Sequence, residues 1–368
     1  MTTEYQICTR CLMDTSDPRI KFDEQGVCNH CHTYDLQEKR DLFPYEALVK
    51  IAKQVKADGK SKSYDCILGL SGGVDSSYVA LTAHRLGLRC LAVHMDNGWN
   101  SELAVMNIEN IVTRLGFDLY THVINWEEFK DLQQAFFKAH VIDIEMLTDH
   151  AITAVMYNLA RKHGVKYLLS GNNIVTESVL PHAWGHRKSD LANILAIHKK
   201  YGTVKLKTFP RCSTWEIFIN QELRRIKTIN VLNYLDYNVA RAKQELMEEL
   251  NWREYGGKHH ESLFTRFYQT YILPTKFKVD KRRAHFSNLV LSGQMTKEEA
   301  QKELQKHPWS TETLAQDQEY IEKKLNITHE EFEEYLTTPE VDHYDYPNDE
   351  KTFWRVVKIR KLLRSLGR

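Results

Sequence analysis

The chain has no long hydrophobic run. Among its 368 residues, no stretch approaches the roughly 20 apolar residues that a bilayer-spanning helix needs. Its first residues, Met-Thr-Thr-Glu-Tyr-Gln, lack the basic start and the apolar core of a signal peptide. We therefore expect a cytoplasmic protein, and a chain of this length is expected to form two or three folded units.

The chain also lacks an excess of charge of either sign, because 50 Lys and Arg residues face 49 Asp and Glu residues. This balance disfavours a surface built to coat nucleic acid. No Gly-x-x-x-x-Gly-Lys-Ser/Thr sequence occurs, which disfavours an ordinary P-loop kinase or GTPase. There is no internal repeat and no low-complexity linker. These absences leave an ordinary soluble protein as the expectation.

Four of the seven cysteines form two knuckles. Cys8 and Cys11 make the first Cys-x-x-Cys pair, and Cys28 and Cys31 make the second after sixteen residues. In a reducing compartment this spacing predicts a structural Zn²⁺ site with four thiolates. Since the segment is too short and too polar to fold by burial alone, we predict a zinc-binding unit over residues 1–45. Two nearby histidines could replace a ligand but are expected at the surface: His30 and His32. The remaining cysteines are expected to be isolated: Cys66, Cys90 and Cys212.

A glycine-containing loop follows the first predicted strand, over residues 71–77. Gly72 and Gly73 allow backbone angles that a Cβ would forbid, and hydroxyl and carboxyl side chains surround them. A helix N-terminus at this position invites a phosphate. A simple βα turn with a good N-cap is the alternative. The whole sequence Ser-Gly-Gly-Val-Asp-Ser-Ser resembles the pyrophosphate loop of ATP pyrophosphatases, which split ATP into AMP and pyrophosphate.

Strands and helices alternate over residues 46–255, which predicts βαβ units and a parallel sheet in an α/β nucleotide-binding domain. The strands are predicted at 65–70, 89–94, 119–124, 167–169 and 229–235. Ligands of such sheets bind at the carboxyl ends of the strands. Three polar loops should therefore converge on one crevice: 71–77, 96–99 and 171–178. Residues 256–368 are predicted to be a helical region that completes the active site.

ATP cleavage needs donors and cations for the pyrophosphate, and carboxylates that hold Mg²⁺. Asp75 is the natural Mg²⁺ carboxylate, Glu177 and Glu261 are candidates for Mg²⁺ contact or proton transfer, and the basic stretch 276–283 could supply cations. The predicted catalytic residues are Asp75, Glu177, Glu261, Lys281 and Arg282. The resemblance implies ATP contacts by Leu70, Ser71, Gly72, Gly73, Asp75, Ser76, Ser77, Asp96, Asn97 and Gly171. For Asp96 and Asn97 a plain Asp-Asn-Gly turn is the alternative.

Five motifs together resemble the N-acetyl sugar amidotransferases of bacterial surface-polysaccharide and nonulosonate pathways, over residues 5 to about 305. The motifs are Cys-Thr-Arg-Cys-Leu-Met-Asp-Thr at 8–15, Cys-Asn-His-Cys at 28–31, the loop at 71–77, Lys-Arg-Arg-Ala-His at 281–285 and Leu-Ser-Gly-Gln-Met at 291–295. This resemblance implies a PP-loop ATP pyrophosphatase domain with a small zinc-ribbon-like unit. It also implies conversion of a sugar acetamido group to an acetamidino group through an O-adenylyl intermediate, using ATP and ammonia.

The sequence contains no glutaminase that could make this ammonia. Thr2 follows Met1, so no N-terminal nucleophilic cysteine exists, and no cysteine lies in a nucleophile elbow. The resemblance implies that a glutaminase and cyclase-like pair, similar to that of histidine biosynthesis, supplies it. The expected substrate is a free or nucleotide-linked acetamido sugar.

Two other functions remain open at this stage. A tRNA-modifying thiolase or ligase would also join cysteine knuckles to a pyrophosphate loop, although such thiolases often need a further cysteine pair. The other function is that of a zinc scaffold that binds nucleotide without cleaving it. The basic helix predicted over 354–364 could bind RNA or an acidic surface, but such a helix usually packs its apolar stripe at home.

Overall fold

A parallel sheet of five strands forms the centre of the computed structural model, which describes residues 4–257 and 260–366. The strands are β1 Cys66–Gly69, β2 Cys90–Asp96, β3 Asp118–Val123, β4 Tyr167–Ser170 and β5 Lys227–Asn230. Their spatial order is β3-β2-β1-β4-β5, and every neighbouring pair is parallel. The predicted α/β fold is confirmed. The prediction based on Met1 and Thr2 falls outside the described residues.

Helices cover both faces of the sheet and make up most of the C-terminal region. In the described residues they are α1 Asn29–Asp41, α2 Tyr45–Gly59, α3 Val74–Arg85, α4 Glu102–Leu115, α5 Trp126–Ala139, α6 Met146–Lys162, α7 Ile174–Glu177, α8 Leu191–Tyr201, α9 Thr214–Phe218, α10 Val239–Leu250, α11 Leu263–Phe267, α12 Leu273–Lys276, α13 Lys281–Leu291, α14 Lys297–Gln305, α15 Thr311–Leu325, α16 His329–Thr337 and α17 Glu350–Ser365. None of these helices combines the length and the apolarity that crossing a membrane would require.

The sheet is buried on both faces, as parallel sheets with crossover helices are. Along β1, Ile67 joins the hydrophobic cluster that α5 and α6 build on one face. The next residue, Leu68, joins the cluster that α2, α3 and α4 build on the other. The alternation of side chains along a strand therefore divides the core into two layers and fixes which helices lie on each side.

The fifth strand is shorter than the sequence predicts. Residues 229–235 were expected to be extended, but β5 ends at Asn230 and Val231–Tyr234 form a 3₁₀ turn. Asn233 explains the turn, because its Oδ1 accepts the Ile174 N–H at 3.0 Å and its carbonyl accepts the Phe43 N–H at 2.9 Å. Val231 and Leu232 stay buried in this turn. A short apolar run predicts burial and cannot by itself separate strand from turn.

Two cysteines expected to be isolated are neighbours. Cys66 and Cys90 begin β1 and β2 and lie opposite each other in the register, with their Sγ atoms 3.3 Å apart. The contact with Cys90 and burial raise the pKa of the Cys66 thiol well above its usual value. The pair lies at the amino ends of the strands, opposite the carboxyl edge where ligands of parallel sheets bind. Its setting is that of buried core thiols.

Candidate functional site

The direction of strand addition reverses between β1 and β4, and the loops after these two strands meet there. Gly171, which follows β4, lies directly against the backbone at the start of α3. A Cβ on Gly171 would lie 3.1 Å from the carbonyl carbon of Asp75 and 3.2 Å from the nitrogen of Ser76. Ligands of doubly wound sheets bind at such a reversal point. The predicted convergence of loops 71–77 and 171–178 is therefore present.

The glycine loop has a conformation that requires its glycines. Gly72 has φ +82°, and a Cβ there would lie 2.6 Å from the carbonyl oxygen of Ala104. The indole N–H of Trp252 donates to the Gly72 carbonyl at 2.9 Å. Gly73 is the N-cap residue of α3 and has no side chain to cover the free N–H groups. The loop thus exposes backbone donors at the N-terminus of a twelve-residue helix, a favourable place for an anion.

Serine hydroxyls accept hydrogen bonds from some of the backbone N–H groups of the loop. Ser71 Oγ accepts the Gly73 N–H at 3.2 Å, and Ser76 Oγ accepts the Ser71 N–H at 3.2 Å. Ser77 is fully buried, and its Oγ has no hydrogen-bond partner among the described residues. Hydroxyls rotate easily and both donate and accept, so a phosphate oxygen can replace these internal bonds.

Asp75 lies in the first turn of α3 and contacts residues from the segments that follow β4 and β5. Its carboxylate accepts a short hydrogen bond from the Tyr237 hydroxyl, and the Thr176 hydroxyl lies 3.4 Å from it. Burial, followed by the charge of Asp75, raises the pKa of Tyr237 well above its usual value, so the phenol stays a donor. The sequence-based prediction omitted Tyr237 and Thr176, although both follow strands β4 and β5 at the carboxyl edge of the sheet.

The predicted catalytic residue Glu261 reaches the glycine loop from the C-terminal region. Its Oε1 lies 3.4 Å from the position that a Cβ on Gly73 would take, and the Tyr255 hydroxyl lies 3.1 Å from that position. Backbone pairing fixes this segment, because the Ser101 N–H donates to the Glu261 carbonyl at 2.8 Å. Residues 258 and 259, which precede it, lie outside the described part of the chain. Glu261 is thus positioned over the loop.

Asp96 and Asn97 lie at the carboxyl end of β2, where their contacts stabilise a turn. Asp96 Oδ1 accepts the Gly98 N–H at 3.0 Å, and Asn97 Oδ1 accepts the Trp99 N–H at 3.1 Å. These contacts are those of the plain turn that was the alternative. A contact of either residue with a nucleoside stays a prediction.

The two basic candidates of α13 have different surroundings. Lys281 Nζ lies 5.3 Å from the centre of the Tyr268 ring, in a region shared with Asp143 and Glu145. Burial lowers the pKa of Lys281. The Arg282 guanidinium instead pairs with Asp280 at 2.7 Å and donates to the carbonyls of residues 304 and 306. These bonds tie α13 to the end of α14, and the catalytic role of Arg282 stays a prediction.

The four knuckle cysteines are brought together as predicted. Cys8, Cys11, Cys28 and Cys31 are fully buried, and their sulfur atoms all lie within 4.8 Å of one another. Three of the S···S distances are 3.6–3.7 Å. When four sulfurs bind one Zn²⁺ tetrahedrally with Zn–S bonds of about 2.3 Å, the distance between two sulfurs is about 3.8 Å. Backbone N–H groups of residues 10, 11, 13 and 28 point at these sulfurs, so the donor set fits a thiolate-bound zinc ion.

The first knuckle packs against α13. The Leu12 N–H donates to Ser287 Oγ at 3.1 Å, and the Arg283 guanidinium pairs with Asp14 at 2.9 Å. Lys297 Nζ adds bonds to the carbonyls of residues 8 and 9, at 2.7 and 2.8 Å. On the opposite side of α13, Asn288 Nδ2 donates to the Thr176 carbonyl at 3.1 Å. One helix therefore connects the knuckle to α7, whose Thr176 lies beside Asp75.

Comparison with known families identifies the central part of the chain. A family described as asparagine synthase matches residues 53–173, the span that holds β1–β4 and the glycine loop. The sheet and its loop have the fold of the PP-loop ATP pyrophosphatases. A second family, described as the C-terminal domain of LPS biosynthesis protein WbpG-like proteins, matches residues 261–361. This second span begins at Glu261 and contains α13.

Individual proteins are similar to parts of the chain. One of the subunits of the glutamine-hydrolysing GMP synthase of Archaeoglobus fulgidus is 31% identical over 137 residues, which is 36% of this chain and 40% of that protein. The GMP synthase of Aliivibrio salmonicida is 40% identical over 80 residues, 22% of this chain and 14% of that protein. The chain thus spans less than half the length of either relative.

Solved structures of low identity match about half of the chain. The NMN synthetase from Francisella tularensis is 15% identical and covers 53% of this chain and 75% of its own, with a TM-score of 0.29. The NH3-dependent NAD synthetase from Campylobacter jejuni is 16% identical. The match covers 56% of this chain and 84% of the synthetase, and its TM-score is also 0.29.

Gly171→Ala tests the close approach of the loop after β4 to the first turn of α3. The added Cβ meets backbone atoms, which cannot move aside cheaply, so we expect the free energy of unfolding to fall by about 1–3 kcal/mol and ATP binding to weaken. Gly69→Ala is the matched control, since its Cβ would meet Met156 Cε at an ordinary 3.8 Å. Urea unfolding and ATP titration measure both effects. Equal results for the two variants would contradict the steric argument.

Proposed function

We propose that this protein is an ATP- and ammonia-dependent amidotransferase that converts a sugar acetamido group to an acetamidino group and releases AMP and pyrophosphate. The observation that carries the proposal is the meeting of the PP-loop with Glu261, because it joins the two matched regions at one site. Similarity to glutamine-hydrolysing GMP synthases supports ATP-dependent C–N bond formation. The match to a lipopolysaccharide-biosynthesis family supports a sugar as the acceptor.

The reaction needs two displacements. The acetamido oxygen attacks the α-phosphorus of ATP, the bond to the bridging oxygen breaks, and pyrophosphate leaves. Ammonia then adds to the imidate carbon, AMP leaves, and one proton is released to a base. A bound Mg²⁺ would neutralise the phosphate charge, and Asp75, Glu177 and Glu261 are the carboxylates suited to hold it. The N-terminus of α3 would bind the departing pyrophosphate.

A hydrolysable adenylate requires a site from which water is excluded. Trp252 and Tyr255 cover the loop on one side, and both are partly or fully buried. Burial, followed by the charge of Glu261, raises the pKa of Tyr255 well above its usual value, so its hydroxyl keeps its proton. Glu261 is suited to accept the proton that ammonia releases. We propose that ammonia comes from a glutaminase and cyclase-like pair.

A tRNA-modifying enzyme is the second candidate, and the Cys66–Cys90 pair is the observation that bears on it. Thiolases of this kind would use a cysteine pair at the site of ATP cleavage. Here the two thiols are buried at the amino ends of β1 and β2. This position disfavours sulfur transfer, and so does the balanced charge of the chain.

An assay of AMP release distinguishes the two candidates. The full chain is given ATP, Mg²⁺ and ammonium with a panel of free and UDP-linked acetamido sugars, or with bulk tRNA. We expect a sugar to stimulate AMP formation and its mass to fall by about one unit, as replacement of oxygen by NH requires. AMP formation that depends on tRNA and on no acetamido sugar would refute the proposal.

A further inference from the structure

A cleft of about 670 Å³ lies beside the PP-loop on the β4–β5 side of the sheet. Its walls are α1, the middle of α2, the edge strand β5 and the loop that follows β4. The cleft lies within the volumes usual for small-molecule sites. None of the residues predicted to bind ATP lines the cleft, so the cleft is available to a second substrate.

The cleft borders the candidate ATP site along the short helix α7. Glu177 and Asn172 line it, and they flank Thr176, whose hydroxyl lies 3.4 Å from the Asp75 carboxylate. Gly171, the residue before Asn172, contacts the backbone of the PP-loop helix. A molecule bound in the cleft would therefore reach the α-phosphate across one short helix, α7.

Side-chain amides are the largest group among the polar residues of the cleft, and they suit hydroxyl and acetamido groups because each amide both donates and accepts. Six amides line it, from Gln37, Gln54, Asn172, Asn173, Asn230 and Asn233. Asn173 and Asn233 are engaged in holding α7. Gln37 Oε1 is buried without a partner among the described residues.

The apolar and charged side chains that line the cleft indicate which class of ligand it can bind. Phe43 and Tyr234 stack with ring centroids 4.9 Å apart and give the cleft one flat aromatic surface. The charged residues are two acids and one base, Asp41, Glu177 and Lys227. This set does not suit a diphosphate, which needs several cations. It suits a hydroxylated ring that is uncharged or carries one carboxylate opposite Lys227.

We propose that this cleft binds the ring of the acetamido sugar acceptor, with the acetamido group directed past Glu177 toward the PP-loop. This inference rests on the proposed function. If the natural acceptor is linked to a nucleotide, its diphosphate lies outside the cleft. The side-chain amides of α1 and β5 then select the sugar, while the PP-loop binds only ATP.

Two edge-strand threonines provide a matched test. Thr228 lines the cleft on β5, and Thr121 is an exposed residue of β3 on the opposite edge of the same sheet. Thr228→Trp fills the cleft, and we expect the KM for the acetamido sugar to rise by at least about tenfold with the KM for ATP unchanged. Thr121→Trp adds the same bulk away from the cleft and is expected to leave both values unchanged.

A second variant tests recognition without added bulk. Asn230→Leu keeps the side-chain size and removes the amide, so the sugar KM should rise several-fold and the melting temperature should stay close to that of the wild type. The probe is whichever acetamido sugar stimulates AMP release by the wild-type chain. If both cleft variants keep the wild-type sugar KM, the cleft assignment fails and the proposed function stands. If no acetamido sugar stimulates the wild-type chain, both fail.

Discussion

Asp75→Asn is expected to lower the rate of AMP formation by at least about a hundredfold while the zinc content of the protein stays at one ion per chain. The substitution keeps the size of the side chain, and the Tyr237 hydroxyl can still donate to the amide oxygen. What is lost is the negative charge beside the PP-loop, which a Mg²⁺ ion on the departing pyrophosphate would need. The substitution should therefore lower the rate of the chemical step much more than the free energy of unfolding.

Asp118→Asn is the matched control for this experiment. Asp118 is also a carboxylate that accepts a tyrosine hydroxyl, from Tyr64 at 2.8 Å, but it begins β3 at the far edge of the sheet. AMP release by liquid chromatography and metal analysis of the same samples measure both variants. Turnover of Asp75→Asn at the rate of the control would remove Asp75 from the mechanism.

Cys28→Ser is expected to remove zinc and to lower the melting temperature by more than about 5 °C, because a structural zinc site contributes several kcal/mol to folding. The effect should extend to α13, since Leu12 and Asp14 of the first knuckle bind Ser287 and Arg283. Hydrogen exchange should therefore quicken in residues 281–291 as well as in the N-terminal unit. Exchange in β1 should change much less.

Cys212→Ser is the control for the loss of a buried thiol. Cys212 is 3% exposed and lies outside the four-sulfur cluster. Its replacement should leave the zinc content and the exchange of α13 unchanged. Retention of stoichiometric zinc by Cys28→Ser would refute the four-thiolate site. Zinc loss with α13 still protected would show that the packing of the knuckle does not hold this helix.

Local signals predicted the elements that local chemistry decides. Ser101 caps α4 by accepting the Ala104 N–H, and Gly116 ends that helix in the left-handed region, which are the roles that a serine before a helix and a glycine after it indicate. Three Ser/Thr-x-x-Glu patterns, which begin at Ser213, Thr296 and Thr328, likewise form capping boxes. In each case the residues that fix the boundary lie within four positions of it, so the sequence carries the information directly.

Features that depend on pairing between distant segments could not be predicted in this way. The contact of Cys66 with Cys90 follows from the register of β1 and β2, which packing of the whole sheet determines. Arg282 was expected near the PP-loop because its neighbours are basic, but in the structure it binds Asp280 and the carbonyls of residues 304 and 306. The bond of Tyr237 to Asp75 joins residues 162 positions apart, and no local pattern indicates it.

The bond between Leu12 and Ser287 joins residues 275 positions apart, and this separation has a consequence during synthesis. At about 5–20 residues per second, a ribosome needs roughly 15–55 s to make the intervening chain. Throughout that time the first knuckle exists without the helix against which it packs. We therefore expect the N-terminal unit to bind a metal ion and to stay soluble before α13 is made, and the candidate site to be completed only when α13 has left the exit tunnel. Arrest of translation before residue 287 should leave the sheet formed and the site open.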